Sequence, residues 1–597
     1  MSAANGSSDT PKLSKNEALK AASAYLRGCI PDELINDEPA FSEDASQVLK
    51  FHGVYMQDDR DLRLKRKKEK QDKAYMVMVR VRMVGGRLTN EQYLVCDELA
   101  RVVGNGTLRI TTRQEFQFHG VAKQDLAVVI RHLNENLMAT LAACGDVERN
   151  VLACPAPIKD RKHDQLNEDA LAWASHAAPR SSSYFDIWVD GEKIETLPPA
   201  APPLLPQPGD DPVEPILGKS YLPRKFKTAF AFPDDNCTDV HANDLGFLAI
   251  VEGDKIVGYN VLVGGGLGTT PSAEKTFPYL AKPLGYIPRE DVRAAGEAVV
   301  RLFRDHGNRS DRKRARLKYL VHDWGMPAFR AKFEEYFGRP IADPKDVVVT
   351  DVDDHLGWHE QGDGKLFLGL QVENGRIKDE GTLRLASGLR AFFQKYKTAA
   401  RLTCQQKILL MDLEPAWRDE INAWLEEYGI ASVEKVSTVR RWSMACPALP
   451  TCGLAVTNAE RALPAVIDMI EAELKRQGLQ DERLTVRMTG CPNGCARPYN
   501  ADIGLVGRSA KIGADGIPGP GTYTVFLGGR TLGDRLNVEF KDYVPHDEIA
   551  SVLAPVFAQF KAERHEGESF GDFCHRAGYA EPAEEGAESE AEAVSSR

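Results

Sequence analysis

The sequence predicts an α+β protein that carries a pseudo-twofold internal duplication. Its 597 residues provide for roughly four structural units at about 150 residues per unit. Segments with strand, helix and again strand patterning follow one another at 75–83, 89–103 and 108–120, and the second half of the chain repeats the motifs of the first half in the same order. We therefore expect each half to contain a small α+β unit followed by a larger one.

The repeat can be followed motif by motif. Residues 84–88 and 108–114 are echoed by 373–377 and 400–406. Residues 227–230, 244–246 and 263–265 are echoed by 487–490, 502–504 and 527–529. Arg109 thus corresponds to Arg401, and Gln114 corresponds to Gln406. Two copies related in this way create a central cleft in which both can grip one ligand; the alternative is a duplication without a shared site.

The chain divides into six predicted parts. They are an N-terminal arm at 1–70, a small unit at 71–140, a larger unit at 141–330, a second small unit at 331–430, a second larger unit at 431–580 and a tail at 581–597. We expect a helix to begin after Ser14 in the arm. The Pro-rich segment 198–215 is expected to be a surface excursion, and the Glu/Ala/Ser-rich tail is expected to be acidic and disordered.

Composition limits the possible partners. The net charge of −11 disfavours nucleic acid as a partner, and no apolar stretch is long enough to span a membrane. The first residues lack the apolar core of a secretion signal. We therefore expect a cytoplasmic protein whose 11 cysteines remain thiols and serve as core residues, catalysts or metal ligands rather than disulfides.

Four of these cysteines form a pattern. Cys446 and Cys452 are separated by five residues, and Cys491 and Cys495 by three, with Pro, Gly and Asn between them. Such wide loops suit a [4Fe-4S] cluster, whose sulfurs also accept hydrogen bonds from the backbone. A structural zinc site is the alternative, although only the second pair has the spacing usual for zinc ligands. We expect the first half to have no cysteines at the matching positions.

Cationic residues recur on the segments that make up the repeated core. They are Arg80, Arg82, Arg109, Arg113, Arg149, Lys225 and Lys227. Alternate residues of a strand share a face, so Arg80 and Arg82 should project to one side. Solvent exposure is the simple alternative, but the neighbouring residues are apolar, and cations on a buried face need anionic partners. We expect these partners to be a polycarboxylate cofactor, a small oxyanion, or both.

The sequence resembles the family of sulfite and nitrite reductases that contain siroheme and a [4Fe-4S] cluster. The resemblance rests on both cysteine motifs and on the segments 25–28, 51–53, 57–61, 111–120, 149–152, 222–227 and 570–573. It implies that the small units are two ferredoxin-like half-domains. It also implies that the larger units are two mixed α/β domains for siroheme and the iron–sulfur cluster, the second of which carries the cysteines.

The resemblance also implies roles for individual residues. The cluster ligands are Cys446, Cys452, Cys491 and Cys495, of which Cys495 also binds the siroheme iron. The siroheme contacts are Arg109, Arg113, Gln117, His119, Arg316 and Asn493, with Arg316 at a place where many relatives have a lysine. The residues around the substrate anion are Arg80, Arg149, Lys225 and Lys227.

The implied activity is the six-electron reduction of sulfite to sulfide in sulfur assimilation, and the close alternative is the reduction of nitrite to ammonia. An alternative from another class is an electron carrier or a zinc-stabilised structural protein without the heme, but the cation set argues against it. The glycine run at 264–268 lacks the order of a dinucleotide-binding loop. Electrons must therefore come from another protein, which the resemblance implies is an NADPH-oxidising flavoprotein subunit or a ferredoxin.

Overall fold

The chain contains two copies of one pair of units. The computed structural model describes residues 12–179, 188–189, 192–193, 213–270, 273, 275–513 and 515–580. Most of the predicted Pro-rich excursion and the whole predicted acidic tail lie outside these residues. The predicted α+β class and the internal duplication are confirmed, whereas the exact domain boundaries remain a prediction.

The N-terminal arm is an integral part of the fold. Its elements are α1 (Lys15–Ala21), α2 (Ile30–Leu34), α3 (Glu43–Leu49), β1 (Val54–Asp58) and α4 (Arg63–Lys68). Ser14 precedes α1, but its side chain makes no capping hydrogen bond. β1 pairs antiparallel with the next strand of the chain. The arm therefore contributes a strand to the first small unit.

The first half of the chain continues with a small and a larger unit. The small unit consists of β2 (Tyr75–Arg80), β3 (Arg87–Leu88), α5 (Asn90–Val102), β4 (Leu108–Ile110), β5 (Phe116–Val121) and α6 (Leu126–Glu135). The larger unit consists of α7 (Arg161–His176), β6 (Trp188–Val189), β7 (Glu192–Lys193), β8 (Thr228–Ala231), β9 (Leu245–Glu252), β10 (Lys255–Val263), β11 (Lys282–Pro288), α8 (Val292–His306) and α9 (Leu317–Phe337).

The second half repeats this order. Its small unit consists of β12 (Gly357–Glu360), β13 (Leu366–Leu370), β14 (Arg376–Ile377), β15 (Asp379–Glu380), β16 (Leu383–Arg384), α10 (Leu385–Tyr396), β17 (Ala400–Leu402), β18 (Ile408–Leu413) and α11 (Arg418–Glu427). Its larger unit consists of α12 (Thr438–Arg441), β19 (Ser443–Ala445), α13 (Leu463–Gln477), β20 (Val486–Thr489), β21 (Ile503–Ser509), β22 (Thr522–Leu527), β23 (Val538–Pro545), α14 (Ile549–Glu563) and α15 (Phe570–Arg576). Among the described residues, no helix combines the length and the apolar character needed to cross a membrane.

The two small units exchange a strand. The first small sheet has the order β1-β2-β5-β4-β14, and the second has the order β12-β13-β18-β17-β3. β14 of the second half pairs with β4 of the first half, and β3 of the first half pairs with β17 of the second half. Each five-stranded sheet is therefore completed by the other half of the chain.

Two glycines allow the halves to approach closely at this exchange. Gly86 has a φ of 70°, and a Cβ atom there would collide with the carbonyl oxygen of Leu402. Its counterpart Gly375 has a φ of 76°, and a Cβ atom there would collide with the carbonyl oxygen of Ile110. Only glycine accommodates both the left-handed backbone and the contact. The glycine turn before β3 is thus also a contact between the halves.

Each larger unit contains a sheet that includes parallel strands. The strand orders are β11-β10-β9-β8 and β19-β20-β21-β22-β23. β8 is parallel to β9, and β20 is parallel to β21. Their registers align Lys227 with Thr485, so the predicted echo of 227–230 in 487–490 is wrong in register. The second larger unit has its own hydrophobic core, distinct from the core shared by the arm, the small units and the first larger unit.

A buried glutamine joins the small unit to the larger unit in each half. Gln114 donates from Nε2 to the Ala153 carbonyl at 2.9 Å, and the Ala153 N–H donates back to Gln114 Oε1 at 3.2 Å. Gln406 and Ala445 form the same pair of hydrogen bonds at 2.9 and 3.2 Å. The correspondence of Gln114 with Gln406 in the sequence thus marks equivalent junctions, which we call the glutamine latches.

Candidate functional site

The four predicted cluster cysteines lie at one edge of the sheet in the second larger unit. β19 and β20 are parallel neighbours, so their carboxyl ends meet at the same edge, where sheets of this kind commonly bind ligands. Cys446 directly follows β19, and Cys491 follows β20 after one glycine. Cys452 and Cys495 lie further along the two loops, and all four side chains are free thiols. We call this arrangement the cysteine edge.

Burial and neighbouring thiols oppose ionisation of Cys446 and Cys491. Burial, and then charge repulsion by Cys495, raise the pKa of Cys446 well above its ordinary value and raise the pKa of Cys491 to about 11. Gly490 N–H donates to Cys446 Sγ at 3.4 Å, and Asn493 Nδ2 donates to Cys491 Sγ at 3.5 Å. A bound metal supplies the positive charge that such ligands need when they lose their protons. The cysteine edge, with Asn493 beside it, is therefore suited to metal binding.

Segments of the first half hold both cysteine loops. Arg60 Nη1 donates to the Cys452 carbonyl at 3.3 Å. Thr112 Oγ1 donates to the Cys495 carbonyl at 3.0 Å. The cysteines are therefore held at the interface between the two halves. The N-terminal arm contacts the first cysteine loop directly through Arg60.

Two predicted substrate-binding arginines face this interface from the first half. Arg80 ends β2, its Nη1 donates to Cys144 Sγ at 2.8 Å, and it lies close enough to Cys495 for their charges to interact. Arg149 is buried, and its Nε donates to a backbone carbonyl at 3.1 Å. Arg82, which we expected on the face of Arg80, lies beyond β2 and donates to a carbonyl of α7 at 2.9 Å. The structure thus separates Arg82 from the other arginines.

Lys225 and Lys227 flank the buried Phe226 just before β8, so both project to one side. They are half-buried, and neither ammonium group has a hydrogen-bond or ion-pair partner among the residues that the structure describes. Burial, and then Arg224 and Arg149, lower the pKa of Lys225 to about 7. Burial and positive neighbours hold the pKa of Lys227 well below its ordinary value. The two lysines therefore form an uncompensated positive site that an anion would stabilise.

Arg113 and His119 carry buried nitrogen atoms without a hydrogen-bond partner in the described part of the chain. They are Nε of Arg113 and both ring nitrogens of His119. Burial, and then the positive charge of Arg376, keep the pKa of His119 well below its ordinary value, so the ring is neutral. Gln117 has a partner, because its amide oxygen, oriented to suit its neighbours, accepts from Arg80 Nε at 3.1 Å. Unpaired nitrogens of this kind leave donors for a bound ligand.

Two other predicted siroheme contacts are bound by protein groups. Arg109 donates to Glu460 Oε2 and to the Ala445 carbonyl, each at 2.8 Å. Arg316 forms a bidentate pair with Asp244 at distances of 3.0 and 2.7 Å. Arg109 also donates to the Asn374 carbonyl and Arg316 to the Gly265 carbonyl, each at 3.3 Å, so each guanidinium makes three contacts with its five N–H donors. The roles of Arg109 and Arg316 toward a cofactor therefore stay predictions.

Sequence reasoning missed three charged residues near the site, which are Glu460, Glu115 and Arg60. Burial alone would raise the pKa of Glu460, but Arg376 and Arg109 outweigh it and lower the pKa to about 2. Burial raises the pKa of Glu115 to about 7. Glu115 and Arg60 lie inside segments that carry the family resemblance, so a signal for them existed. Glu460 lies in none of these segments.

The expectation that the first half lacks cysteines at the repeat positions is wrong. The glutamine latches place Cys154 at the position of Cys446, because each cysteine follows the latched alanine. The register of β8 with β9 and that of β20 with β21 place Cys237 at the position of Cys495. Motif comparison missed these two residues because the other cysteine of each pair is replaced in the first half.

The chemistry of the site fits a polyanionic cofactor beside an iron–sulfur cluster. The cysteine edge offers four thiols, and the facing half offers the unpartnered ammonium groups and the orphaned nitrogens of Arg113 and His119. Buried cations without partners cost free energy, so a ligand with several carboxylates is complementary to this half. A zinc ion at the cysteine edge alone would leave those cations uncompensated.

Comparison with protein families agrees with this chemistry. Residues 169–341 and 437–593 match the nitrite and sulphite reductase 4Fe-4S domain. Residues 68–136 and 359–428 match the nitrite/sulfite reductase ferredoxin-like half domain. The two models alternate along the chain, as the internal duplication requires, and together they match more than half of it.

Individual relatives match nearly the whole chain. A sulfite reductase (ferredoxin) of Synechococcus elongatus is 45% identical over 576 residues, which cover 95% of this chain and 90% of the relative. A sulfite reductase (NADPH) hemoprotein beta-component of Staphylococcus saprophyticus is 41% identical, with coverages of 96% and 97%. The solved structure of the NirA protein of Mycobacterium tuberculosis is similar with a TM-score of 0.74 at 26% identity, covering 94% of this chain and 96% of that one. On sequence, fold and site chemistry, the chain belongs to the nitrite and sulfite reductase family.

Proposed function

We propose that the chain is the hemoprotein of an assimilatory sulfite reductase, which reduces sulfite to sulfide. The observation that carries the proposal is that Lys225 lies close enough to Cys495 of the cysteine edge for their charges to interact, with Lys227 on the same side of its segment. When bound, the [4Fe-4S] cluster and siroheme would pass electrons from an external donor to the substrate. The cluster would be held by Cys446, Cys452, Cys491 and Cys495, and the siroheme iron by Cys495.

The first task of the surrounding residues is to bind a small oxyanion. The proposed set comprises Arg80, Arg149, Lys225 and Lys227. Guanidinium groups match the geometry of oxyanions through forked donors, and fixed positive charges stabilise an anion more strongly in a site shielded from water. Neither lysine forms an ion pair within the described residues, so both ammonium groups remain available to the substrate.

The second task is to supply protons as the oxygen atoms of sulfite leave as water. A proton donor is most effective when its pKa lies near the working pH. The pKa of Lys225 is lowered to about 7 by burial and neighbouring cations, so its ammonium group gives up a proton near neutral pH. Lys227 experiences the same influences. Both lysines therefore act in anion binding and in proton donation.

The third task is to hold the siroheme carboxylates and the ring edge. We assign this task to Arg109, Arg113, Gln117, His119, Arg316 and Asn493. The free Nε of Arg113 and the unpartnered ring of His119 offer donors directly. Arg109 and Arg316 are oriented by Glu460 and Asp244, so only their remaining N–H groups can reach a cofactor carboxylate.

The electron donor is a separate protein, and we propose a ferredoxin or an NADPH-dependent flavoprotein subunit for this role. Relatives of both types have nearly full-length similarity to the chain. We place the protein in the cytoplasm, because reducing conditions preserve cysteine thiols as metal ligands. Measuring turnover with reduced ferredoxin and with NADPH plus the flavoprotein would decide between the donors.

The proposal is tested on anaerobically purified protein by its visible spectrum together with iron and acid-labile sulfide assays. We expect heme and chlorin-type bands with about five irons and about four sulfides per chain. The kcat/KM for sulfite should exceed the kcat/KM for nitrite. A colourless protein with zinc bound by four sulfurs, isolated from cells that make siroheme, would overturn the proposal. A kcat/KM that favours nitrite would instead support the reduction of nitrite to ammonia.

A further inference from the structure

A second group of metal-ligating side chains lies in the first half of the chain. Cys154 follows the segment that bridges to β8, Asp235 and Cys237 follow β8 itself, and His355 precedes β12. One ligand atom of each residue lies within 4.8 Å of the other three. Among the residues that the structure describes, no other group of three or more His, Cys, Asp or Glu side chains meets this criterion.

Two members of this group occupy the repeat positions of cluster ligands. Cys154 lies where the second half has Cys446, and Cys237 lies where it has Cys495. The duplication thus retained two metal-ligand positions in the first half. The other two cysteines are replaced, and a carboxylate and an imidazole stand nearby. The donor set has changed from four sulfurs to two sulfurs, one oxygen and one nitrogen.

The donor atoms converge on a common centre. Asp235 Oδ2 lies 3.1 Å from Cys154 Sγ and 3.2 Å from His355 Nε2. Ordinary zinc–ligand bond lengths in a tetrahedral site space the ligand atoms roughly 3.3–3.8 Å apart. His355 is only 5% exposed, and its Nε2 has no hydrogen-bond partner within the described residues. A buried imidazole nitrogen, paired only with the Asp235 carboxylate within the described residues, thus points into the group.

The surrounding groups orient these ligands. Asp235 Oδ1 accepts from the backbone N–H groups of Cys237 and Asp353, each at 3.1 Å, which leaves Oδ2 for the centre. His355 Nδ1 lies 3.7 Å from Asp353 Oδ2. A carboxylate behind a histidine is a common second layer around metal sites, where it fixes the ring orientation.

We propose that the first half binds one zinc ion through Cys154, Asp235, Cys237 and His355. Sulfur and imidazole ligands favour zinc over calcium and magnesium, which take oxygen ligands. Two thiols are too few for a cluster that takes four. Four protein ligands close the coordination sphere, as in structural zinc sites, so the ion fastens three distant segments of the chain together.

A cavity of about 660 Å³ connects this site with the surface. Asp235 and His355 line it, together with the further carboxylates Asp234, Asp351 and Asp353. Six carboxylates and the three cations Lys162, Arg441 and Arg483 line the cavity, and this excess of acidic groups favours entry of a divalent cation. The proposed site therefore has an entry path as well as a complete ligand set.

The test uses full-length holoenzyme with its full iron and sulfide content, so that the cysteine edge is occupied. The protein is incubated with zinc sulfate, desalted and assayed for zinc, and its zinc K-edge absorption spectrum is recorded. We expect one zinc ion per chain with two sulfur and two nitrogen or oxygen ligands. Zinc bound by four sulfurs, zinc without sulfur ligands, or a Cys154–Cys237 disulfide in the mass spectrum would overturn the proposal.

Matched variants locate the ion. Asp353→Asn should lower the zinc affinity by about 10–100-fold, the range typical when a residue that orients a ligand is replaced. Cys237→Ser removes a ligand itself, so the zinc affinity should fall by more than about 100-fold. Cys96→Ser, at a buried cysteine of α5 outside the group, should retain zinc. Unchanged zinc affinity in both Cys237→Ser and Asp353→Asn would refute the site. The iron and sulfide content reports separately on the proposed reductase.

Discussion

The two larger units share a strand arrangement but present opposite chemistry to their common interface. In the second half, the loops after β19 and β20 carry the four cysteines of the cysteine edge. In the first half, the segments around the start of β8 carry Arg149, Lys225 and Lys227, and only two cysteines remain at the repeat positions. Under the proposed function, the duplication divided the roles: the second half would hold the iron–sulfur cluster and the first half would surround the anion.

The contacts that equivalent arginines make between the two halves also differ in the charge of the partner. Arg109 is held by the carboxylate of Glu460 at 2.8 Å. Its counterpart Arg401 is held by the neutral amide of Asn167 at 2.9 Å. The junction next to the cysteine edge is thus an ion pair, whereas the equivalent junction of the other half is a hydrogen bond from a charged arginine to a neutral amide.

The largest effect is expected from the residue that links the metal half to the siroheme. Cys495→Ser should abolish sulfite turnover and sharply lower the iron and sulfide content, because the variant removes a ligand of both cofactors. Cys574→Ser is the matched control, since Cys574 is buried in α15 of the same unit outside the cysteine edge. A Cys495→Ser protein with full cluster content and turnover would remove the basis for assigning the metal centre to this half.

The next effect tests the anion half. Lys227→Met should lower kcat/KM for sulfite by about 10²–10⁴-fold, since it removes a positive charge and a proton donor, while the cofactor spectrum stays the same. Lys255→Met, at an exposed position of β10, should leave turnover unchanged. Equal activity of the two variants would show that the first half does not act on the anion.

The ionic junction should contribute more to the free energy of unfolding than the equivalent junction between Arg401 and Asn167. Glu460→Gln should lower the free energy of unfolding by about 3–5 kcal/mol, because it leaves Arg109 and Arg376 buried without a counterion. Asn167→Ala should cost about 1.5–3 kcal/mol, the range for a hydrogen bond to a charged group. Chemical denaturation of the loaded protein compares them, and equal losses would contradict the distinction between the two junctions.

The same junction has a predicted pH dependence. The pKa of Glu460 is about 2 in the folded protein, below its ordinary value of 4.5. Its carboxylate therefore stabilises the fold fully above the ordinary value, and this stabilisation is lost as the pH falls toward 2. The stability difference between the native protein and Glu460→Gln should shrink over that interval, and a constant difference would exclude this carboxylate as its source.

The smallest effect concerns the protonation of the anion half. The pKa of Lys225 is lowered to about 7, so kcat/KM should decline at alkaline pH as this ammonium group loses its proton. The apparent pKa of the decline should lie at or above 7, because the negative charge of the cofactor carboxylates raises the pKa of a nearby lysine. Lys225→Arg keeps the charge at all these pH values and should remove the decline at the cost of a lower maximum. Lys255→Arg should keep the native pH profile, and a decline unaltered by Lys225→Arg would assign it to another group.

Local motifs made much of this site predictable. The cysteine edge was found because each pair of cysteines lies within a few residues, and the equivalence of Gln114 with Gln406 followed from neighbouring letters of the repeat. Glu460 was not predictable, since its partner Arg109 is 351 residues away. β3 and β14 contain two residues each, too few for a periodic pattern, so the strand exchange was invisible. Arg316 was predicted only as a siroheme contact, because nothing in the sequence pairs it with Asp244.

The exchanged strands also set an order for biosynthesis. All other strands of the first small sheet lie before residue 122, but β14, which covers the edge of β4, lies at Arg376–Ile377. This edge of the growing polypeptide therefore stays open while residues 122–375 are synthesised, and an open edge can pair with other chains. The sheet closes only after residue 377 emerges. A ligand can therefore be enclosed between the two halves only late in the synthesis of the chain.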